Sequence, residues 1–253
     1  MHKKIIAGNW KMHGSLAANE RLLDLLLAGS EDLACTLVVC APHVYLAPCA
    51  RRINGGGVRL GAQDLSARNG GAYTGEISAA MLADVGCQYV IVGHSERRRL
   101  YQDSDEVVAR KLGNALAAGL VPILCIGETM AEHQAGRTHA VLAARLQAAL
   151  ASQPQPLSQQ LVIAYEPVWA IGTGLSATPE VVQAAHQFIR CEVGRIYPTA
   201  SARIPILYGG SMKPENAAAL LAMPDVDGGL VGGASLDAAD FLAIARAVNL
   251  RDQ

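Results

Sequence analysis

A chain of 253 residues is long enough for one large domain or two small ones, and a fold of that size hides about three quarters of the unfolded surface. Its residues are 51% apolar and 17% charged with a formal net charge of −1, so no electrostatic pull toward nucleic acid or an anionic membrane is expected. Six cysteines (Cys35, Cys40, Cys49, Cys87, Cys125, Cys191) lack CxxC or metal-ligand spacing, which points to a reducing compartment without structural zinc.

The N-terminal apolar run, Ile5-Ile6-Ala7-Gly8, is too short for a signal peptide and reads as a first strand. It ends in Asn9-Trp10-Lys11. Helical spacing follows over 17–28, then a strand Leu37–Ala41 closed by Pro42, and a weaker helix over 45–54. Val58–Ala62 is a third strand. Gln63–Gly75 is a polar, glycine-rich loop, and loops of that length inside a compact domain are usually functional or disordered. A short helix over Ile77–Asp84 leads to a fourth strand, Tyr89–Gly93, ending at His94-Ser95-Glu96. The basic run Arg97-Arg98-Arg99 reads as a solvated helical turn. After a helix over 105–118 come a fifth strand, Val121–Ile126, and a long Ala/Leu-rich helix to 151. The apolar stretch around Val121 is broken by Pro122 and falls short of the ~18 residues of a membrane span, so a soluble, cytoplasmic protein is expected.

Leu161–Tyr165 is a sixth apolar strand that Pro167 stops, leaving Glu166 where buried backbone meets the surface. Ala170-Ile171-Gly172-Thr173-Gly174 has almost no side chain and reads as a flap; Thr178-Pro179-Glu180 opens a helix over 179–196. Ile204–Tyr208 is strand seven, followed by Gly209-Gly210-Ser211 and a helix from Pro214. Gly229–Val231 is strand eight before Gly232-Gly233, and 237–248 is the last helix. Eight strand–helix alternations with no hairpin signal predict a parallel sheet with right-handed crossovers. Within a single domain, 1–253, they fit a closed (β/α)8 barrel better than an open doubly wound sheet.

In such a barrel the C-terminal strand ends share one mouth, and there lie Asn9, Lys11, His94, Glu166, Ser211, Gly232 and Gly233. Taken singly, each has an ordinary reading: a loop lysine, a packed histidine, a surface glutamate. Their convergence on one rim points to chemistry. Glycines after strands seven and eight suit a phosphate, whose oxygens take backbone N–H groups at close range; Gly172 in the flap adds another. Ser95 is expected as N-cap, with the helix start keeping His94 neutral. A neutral imidazole donor, the Lys11 ammonium and the Glu166 carboxylate suit removal of a proton next to a carbonyl and stabilisation of the enediolate. That reaction requires no metal and no redox cofactor.

The chain resembles the triosephosphate isomerase family along essentially its whole length. The resemblance is carried by AGNWKM (7–12), GAQD (61–64), AYTGEIS (72–78), VGHSERR (92–98), CIGE (125–128), AYEPVWAIGTG (164–174), YGGSM (208–212) and LVGGASL (230–236). It implies a TIM barrel that interconverts dihydroxyacetone phosphate and D-glyceraldehyde 3-phosphate in glycolysis and gluconeogenesis. It implies Glu166 as the proton shuttle, His94 as the group that polarises the oxygens, and Lys11, held by Glu96, as the balancing charge. Asn9 would add a hydrogen bond, while Gly172, Ser211, Gly232 and Gly233 would hold the phosphate. Ile171 and Leu230 would exclude water, and Tyr208 with Ser211 would latch the flap at Ala177 and Gly174. The family is dimeric, so the loop at 63–75 would enter a partner subunit and bring Thr74 toward its Asn9 and Lys11 region. Asp64, Tyr73, His13 and Leu175 depart from the commoner residues at those positions.

Two other readings compete. Gly172-Thr173-Gly174-Leu175-Ser176-Ala177 matches a dinucleotide pattern, but Pro167 and five further residues separate it from the strand. A catalytically altered sugar-phosphate-binding barrel would keep the phosphate glycines but lack the base or the electrophile.

Overall fold

Eight short apolar runs become eight parallel strands in the computed structural model, which describes residues 3–153, 161–171, 177–198 and 204–248. The strands are β1 (Ile5–Asn9), β2 (Thr36–Ala41), β3 (Val58–Ala62), β4 (Tyr89–Val92), β5 (Val121–Ile126), β6 (Val162–Tyr165), β7 (Ile206–Tyr208) and β8 (Gly228–Val231). They form a closed barrel in chain order. Closure is made by β1 against β8, with Ile5 in register with Gly228 and Gly8 with Val231. The closed barrel therefore replaces the open sheet that the same alternation also allowed.

The helices are α1 (Leu16–Gly29), α2 (Leu46–Ile53), α3 (Ala79–Asp84), α4 (Ser95–Leu100), α5 (Asp105–Ala117), α6 (Met130–Gln134), α7 (Thr138–Leu150), α8 (Pro179–Ile196), α9 (Pro214–Leu221) and α10 (Ala238–Arg246). Local chemistry fixes their starts. Side chains of Ser15, Ser78, Ser104 and Thr178 each accept a backbone N–H of the first turn, and Pro179 and Pro214 occupy N1, where the missing N–H costs nothing. Some boundaries differ from the sequence reading. The third helix begins after Ser78 because that hydroxyl is its cap. The long helix expected to reach 151 is two, α6 and α7, parted at Gly136 with φ 66°. Strand seven starts at Ile206 rather than Ile204, since Pro205 has no N–H to give the ladder.

The strand period of two sorts the apolar residues into two cores. Ile5, Ala7, Val38, Cys40, Ile91, Ile123, Cys125, Val162, Ala164, Leu207 and Leu230 fill the barrel. Their alternates, with the helix faces, make the larger outer core. All six cysteines are free; five are buried, and burial pushes the Cys49 thiol up to about 11, so these act as small hydrophobes while Cys191 alone is exposed. Among the described residues no helix is long and apolar enough to cross a membrane.

Of the basic run after β4, Arg99 is exposed as a solvated turn would have it, but Arg97 and Arg98 are not free in solvent. Arg97 meets Asp64 at 2.7 Å and Asp103 at 3.0 Å, and Arg98 reaches Asp105 at 2.6 Å and the Gly93 carbonyl at 2.8 Å. Buried Lys111 joins the same group, 2.8 Å from both Asp64 and Asp103. This network ties the base of the loop after β3 to α4 and α5. Beyond it, residues 68–76 stand exposed, with Arg68 over the Tyr73 ring at 5.3 Å.

Candidate active site

The inward alternation of the strands continues past their ends and selects the site. From Ile5 and Ala7 it runs to Asn9 and Lys11; from Val162 and Ala164 to Glu166; from Leu207 to Gly209 and Ser211; from Leu230 to Gly232. These residues, with His94, Ile171 and Gly233, line one cleft of about 560 Å³ at the mouth. His94 breaks the alternation because Gly93 turns the chain with φ 72°.

Glu166 is 2% exposed. Its Oε2 accepts the Ser95 N–H at 2.9 Å, and its Oε1 lies 3.0 Å from His94 Nε2. Burial by itself would raise the carboxyl, yet His94 and the Ser95 hydrogen bonds outweigh it and hold the group below its ordinary value, as a carboxylate. Glycine permits this placement: a Cβ on Gly209 would stand 2.8 Å from Glu166 Cγ, and one on Gly127 only 1.7 Å from the Glu166 carbonyl oxygen. Any larger residue at Gly127 would displace the backbone that carries the carboxylate.

His94, not Ser95, is the N-cap of α4: its Nδ1 accepts the Glu96 N–H at 3.2 Å. Ser95 is the first helical residue and serves the site through its N–H. With Nδ1 engaged as acceptor, the ring's proton sits on Nε2 and points at Glu166. Sequence reasoning weighed the helix start alone. Burial does favour the neutral ring, but the neighbouring Glu166 carboxylate, then Glu96, pull the other way and raise the His94 pKa in this arrangement. The Nδ1 hydrogen bond from the first turn of α4 fixes which tautomer the neutral ring takes, with its proton on Nε2.

Lys11 takes left-handed backbone, φ 50°, a conformation that costs a non-glycine residue about a kcal/mol or more. Three contacts hold it there. Its N–H donates to Asn9 Oδ1 at 3.0 Å, its carbonyl accepts Gln63 Nε2–H at 2.9 Å, and its Nζ meets Glu96 at 2.5 Å. The result aims an ammonium along the cleft wall, where a Cβ on Gly232 would come within 3.7 Å of Lys11 Cε. Gln63 was read only as the start of a loop; its role is set by reach across β1, β2 and β3, which spacing does not encode.

Other expected residues fall around these. Ser211, Gly232 and Gly233 share the cleft with Leu230 and Ile171. Tyr208 lies buried beneath Gly210, its hydroxyl without a hydrogen-bond partner among the described residues. Thr74 is exposed on the long loop, outside the cleft. Gly172, Gly174 and Leu175 lie outside the described residues. Glu128, the last residue of CIGE (125–128), is fully buried, and its Oε1 accepts Tyr165 O–H at 3.1 Å and Trp169 Nε1–H at 2.8 Å. Among the described residues no group of three or more His, Cys, Asp or Glu is placed to hold a metal ion.

A family model described as triosephosphate isomerase matches residues 4–248. The chain is 55% identical to a triosephosphate isomerase of Azoarcus sp. (strain BH72), over 98% of this chain and 100% of that one. With the triosephosphate isomerase of Herminiimonas arsenicoxydans it shares 52% identity at the same coverage. The crystal structure of triosephosphate isomerase from Bartonella henselae superposes with a TM-score of 0.90 at 38% identity, covering 98% of this chain and 100% of that one.

Proposed function

Because the chain belongs to the triosephosphate isomerase family, we propose that the residues at its barrel mouth divide that family's reaction among themselves. The reaction interconverts dihydroxyacetone phosphate and D-glyceraldehyde 3-phosphate, a step of glycolysis and gluconeogenesis, by moving one proton between neighbouring carbons through an enediolate. The observation that carries the assignment is the buried, ionised Glu166 set 3.0 Å from His94 Nε2 in the cleft that Lys11 also lines.

Glu166 is the base. It takes the proton from one carbon and returns it to the next. His94 Nε2–H polarises the carbonyl and serves the two oxygens in turn, while the Lys11 ammonium balances charge on the enediolate and on the phosphate. Asn9 adds a hydrogen bond and fixes the Lys11 backbone. Ser211, Gly232 and Gly233, with Gly172, hold the phosphate. Ile171 and Leu230 keep water out, which strengthens every charge interaction inside and protects the enediolate from losing phosphate. Both Glu166 oxygens are engaged in the described arrangement, so the carboxylate leaves the Ser95 N–H before it meets a substrate carbon. No metal or redox cofactor enters these steps. A sugar-phosphate-binding barrel without turnover has no use for a base, an electrophile and an ammonium in one cleft.

The test is isomerisation of glyceraldehyde 3-phosphate by purified protein with no metal or nucleotide added, compared with Glu166→Asp. Drawing the carboxylate back by about 1 Å is expected to cost roughly 100-fold in kcat. Unchanged turnover would remove Glu166 from the role of base.

The same reading makes the chain one domain, cytoplasmic, and a homodimer through the loop at 63–75. Support for the dimer comes from the exposed 68–76 stretch and from Met12, Val44, Tyr73 and Met81, large apolar side chains left in solvent on neighbouring segments. Thr74 would then reach the Asn9 and Lys11 region of a second subunit. Sedimentation of the intact chain is expected to give a dimer; a fully active monomer overturns this part.

A further inference from the structure

The turn that follows β7 is held at three points. At its start the Gly209 N–H donates to the Tyr165 carbonyl at 2.7 Å. Its middle is anchored by buried Met212, packed so closely on β8 that a Cβ on Gly229 would stand 2.6 Å from the Met212 sulfur. Its end is held by the side chain of Asn216, in the first turn of α9. Asn216 Oδ1 accepts the Lys213 N–H at 2.8 Å, and Nδ2 donates to the Ser211 carbonyl at 3.0 Å. Among the described residues that is the one hydrogen bond made to Ser211. Ser211 and Lys213 line the cleft, whereas Asn216 stands behind them and does not.

Half of the Asn216 contact is what any helix start asks for. Pro214 at N1 keeps Lys213 extended, φ −135° and ψ 165°, and an acceptor at N3 takes the N–H of that N-cap residue. An aspartate at 216 would do as much. The other half serves no need of the helix. Its free N–H groups call for acceptors, yet Nδ2 is a donor, and it is directed to a carbonyl two residues before the N-cap. A carboxylate has no such donor, and alanine offers neither group.

We propose that Asn216 is a positioning residue for substrate binding: its Nδ2 donation fixes the Ser211 carbonyl, and with it the plane of the peptide after Ser211, so that the turn meets the phosphate in one set geometry. The inference rests on the reading that Ser211 holds the substrate's phosphate. Without the tie, the turn keeps its anchors at Gly209 and Met212 but is free to swivel between Met212 and α9. Hydrogen bonds to phosphate oxygens weaken steeply as their angles open. The phosphate does not react, so the loss falls equally on bound substrate and transition state. It therefore shows in KM and not in kcat.

Wild type, Asn216→Asp and Asn216→Ala are compared for kcat, KM, the inhibition constant of inorganic phosphate, and Tm. Both variants are expected to raise KM and the phosphate constant about five-fold with kcat unchanged. Tm is expected to fall in Asn216→Ala and to hold in Asn216→Asp, so that affinity follows the donor while stability follows the cap. Asn216→Asp also brings a charge near an anion. A charge effect fades at about 0.5 M salt, where the Debye length is about 4 Å, whereas the expected ratio of variant to wild type persists there. Unchanged affinity in Asn216→Asp, a loss that salt abolishes, or a loss confined to kcat overturns the proposal. Line broadening of inorganic phosphate in ³¹P NMR needs no turnover and separates the two readings. A wild type that leaves the line sharp removes Ser211 from the role of phosphate holder, and this proposal with it. Equal broadening by wild type and both variants removes only the role of Asn216.

Discussion

Among the described residues two histidines are buried, and their surroundings give them opposite characters. His94, at the mouth, accepts through Nδ1 and donates through Nε2; beside the Glu166 carboxylate its pKa is raised against the effect of burial. His186, in the wall between α8 and the strands, has the other tautomer. Its Nδ1–H donates to the Asp225 carbonyl at 3.1 Å, its Nε2 has no partner among the described residues, and it meets the Tyr165 ring edge-on. Burial lowers its pKa to about 4, against weaker upward pulls from the Asp225 carbonyl and Asp227. Burial opposes charge on both rings; the neighbouring carboxylate decides that the two pKa values move in opposite directions.

The contrast is sharpest in catalysis. If His94 polarises the substrate oxygens as proposed, His94→Gln is expected to lower kcat by about 10²–10⁴-fold, whereas His186→Gln leaves kcat unchanged. Steady-state kinetics of the two variants decide this; equal losses would erase the distinction. Acid comes next. The folded pKa of His186 lies near 4 against 6.5 unfolded, so between those values the unfolded chain binds the extra proton. The contribution is complete above pH 6.5 and lost as pH falls toward 4, about 3 kcal/mol in all. Urea unfolding at pH 7 and pH 4.5 is expected to show that fall in the wild type and a smaller one in His186→Gln; parallel curves would sink it. At neutral pH the same substitution is expected to cost only about 1–3 kcal/mol, for a buried hydrogen bond lost or misplaced.

Much of this was readable in advance, and for a definite reason. The period of two that fills the barrel with Ile5, Ala7, Val162 and Ala164 also carries Asn9, Lys11 and Glu166 onto the same inner face, so alternation gathers these residues into one cleft along with the fold. What escaped depends on distance between elements. Gln63 reaches back to Lys11, Glu128 crosses from β5 to β6, and Asp64 meets Lys111 and Arg97, pairings that no local spacing announces. His186 was one position among many in a helix, because an apolar face does not reveal that its one imidazole is sealed. The cap of α4 was placed one residue late, since His94 and Ser95 both offer an acceptor and only the backbone turn at Gly93 selects between them.

The strands that close the ring come from the two extremes of the chain, β1 meeting β8. During synthesis the first strand therefore waits with one hydrogen-bonding edge unsatisfied until β8 has left the ribosome. A truncated product lacking β8 keeps two such edges, on β1 and β7, and strand edges left bare recruit other strands. Those bare edges disappear only when β1 and β8 have met.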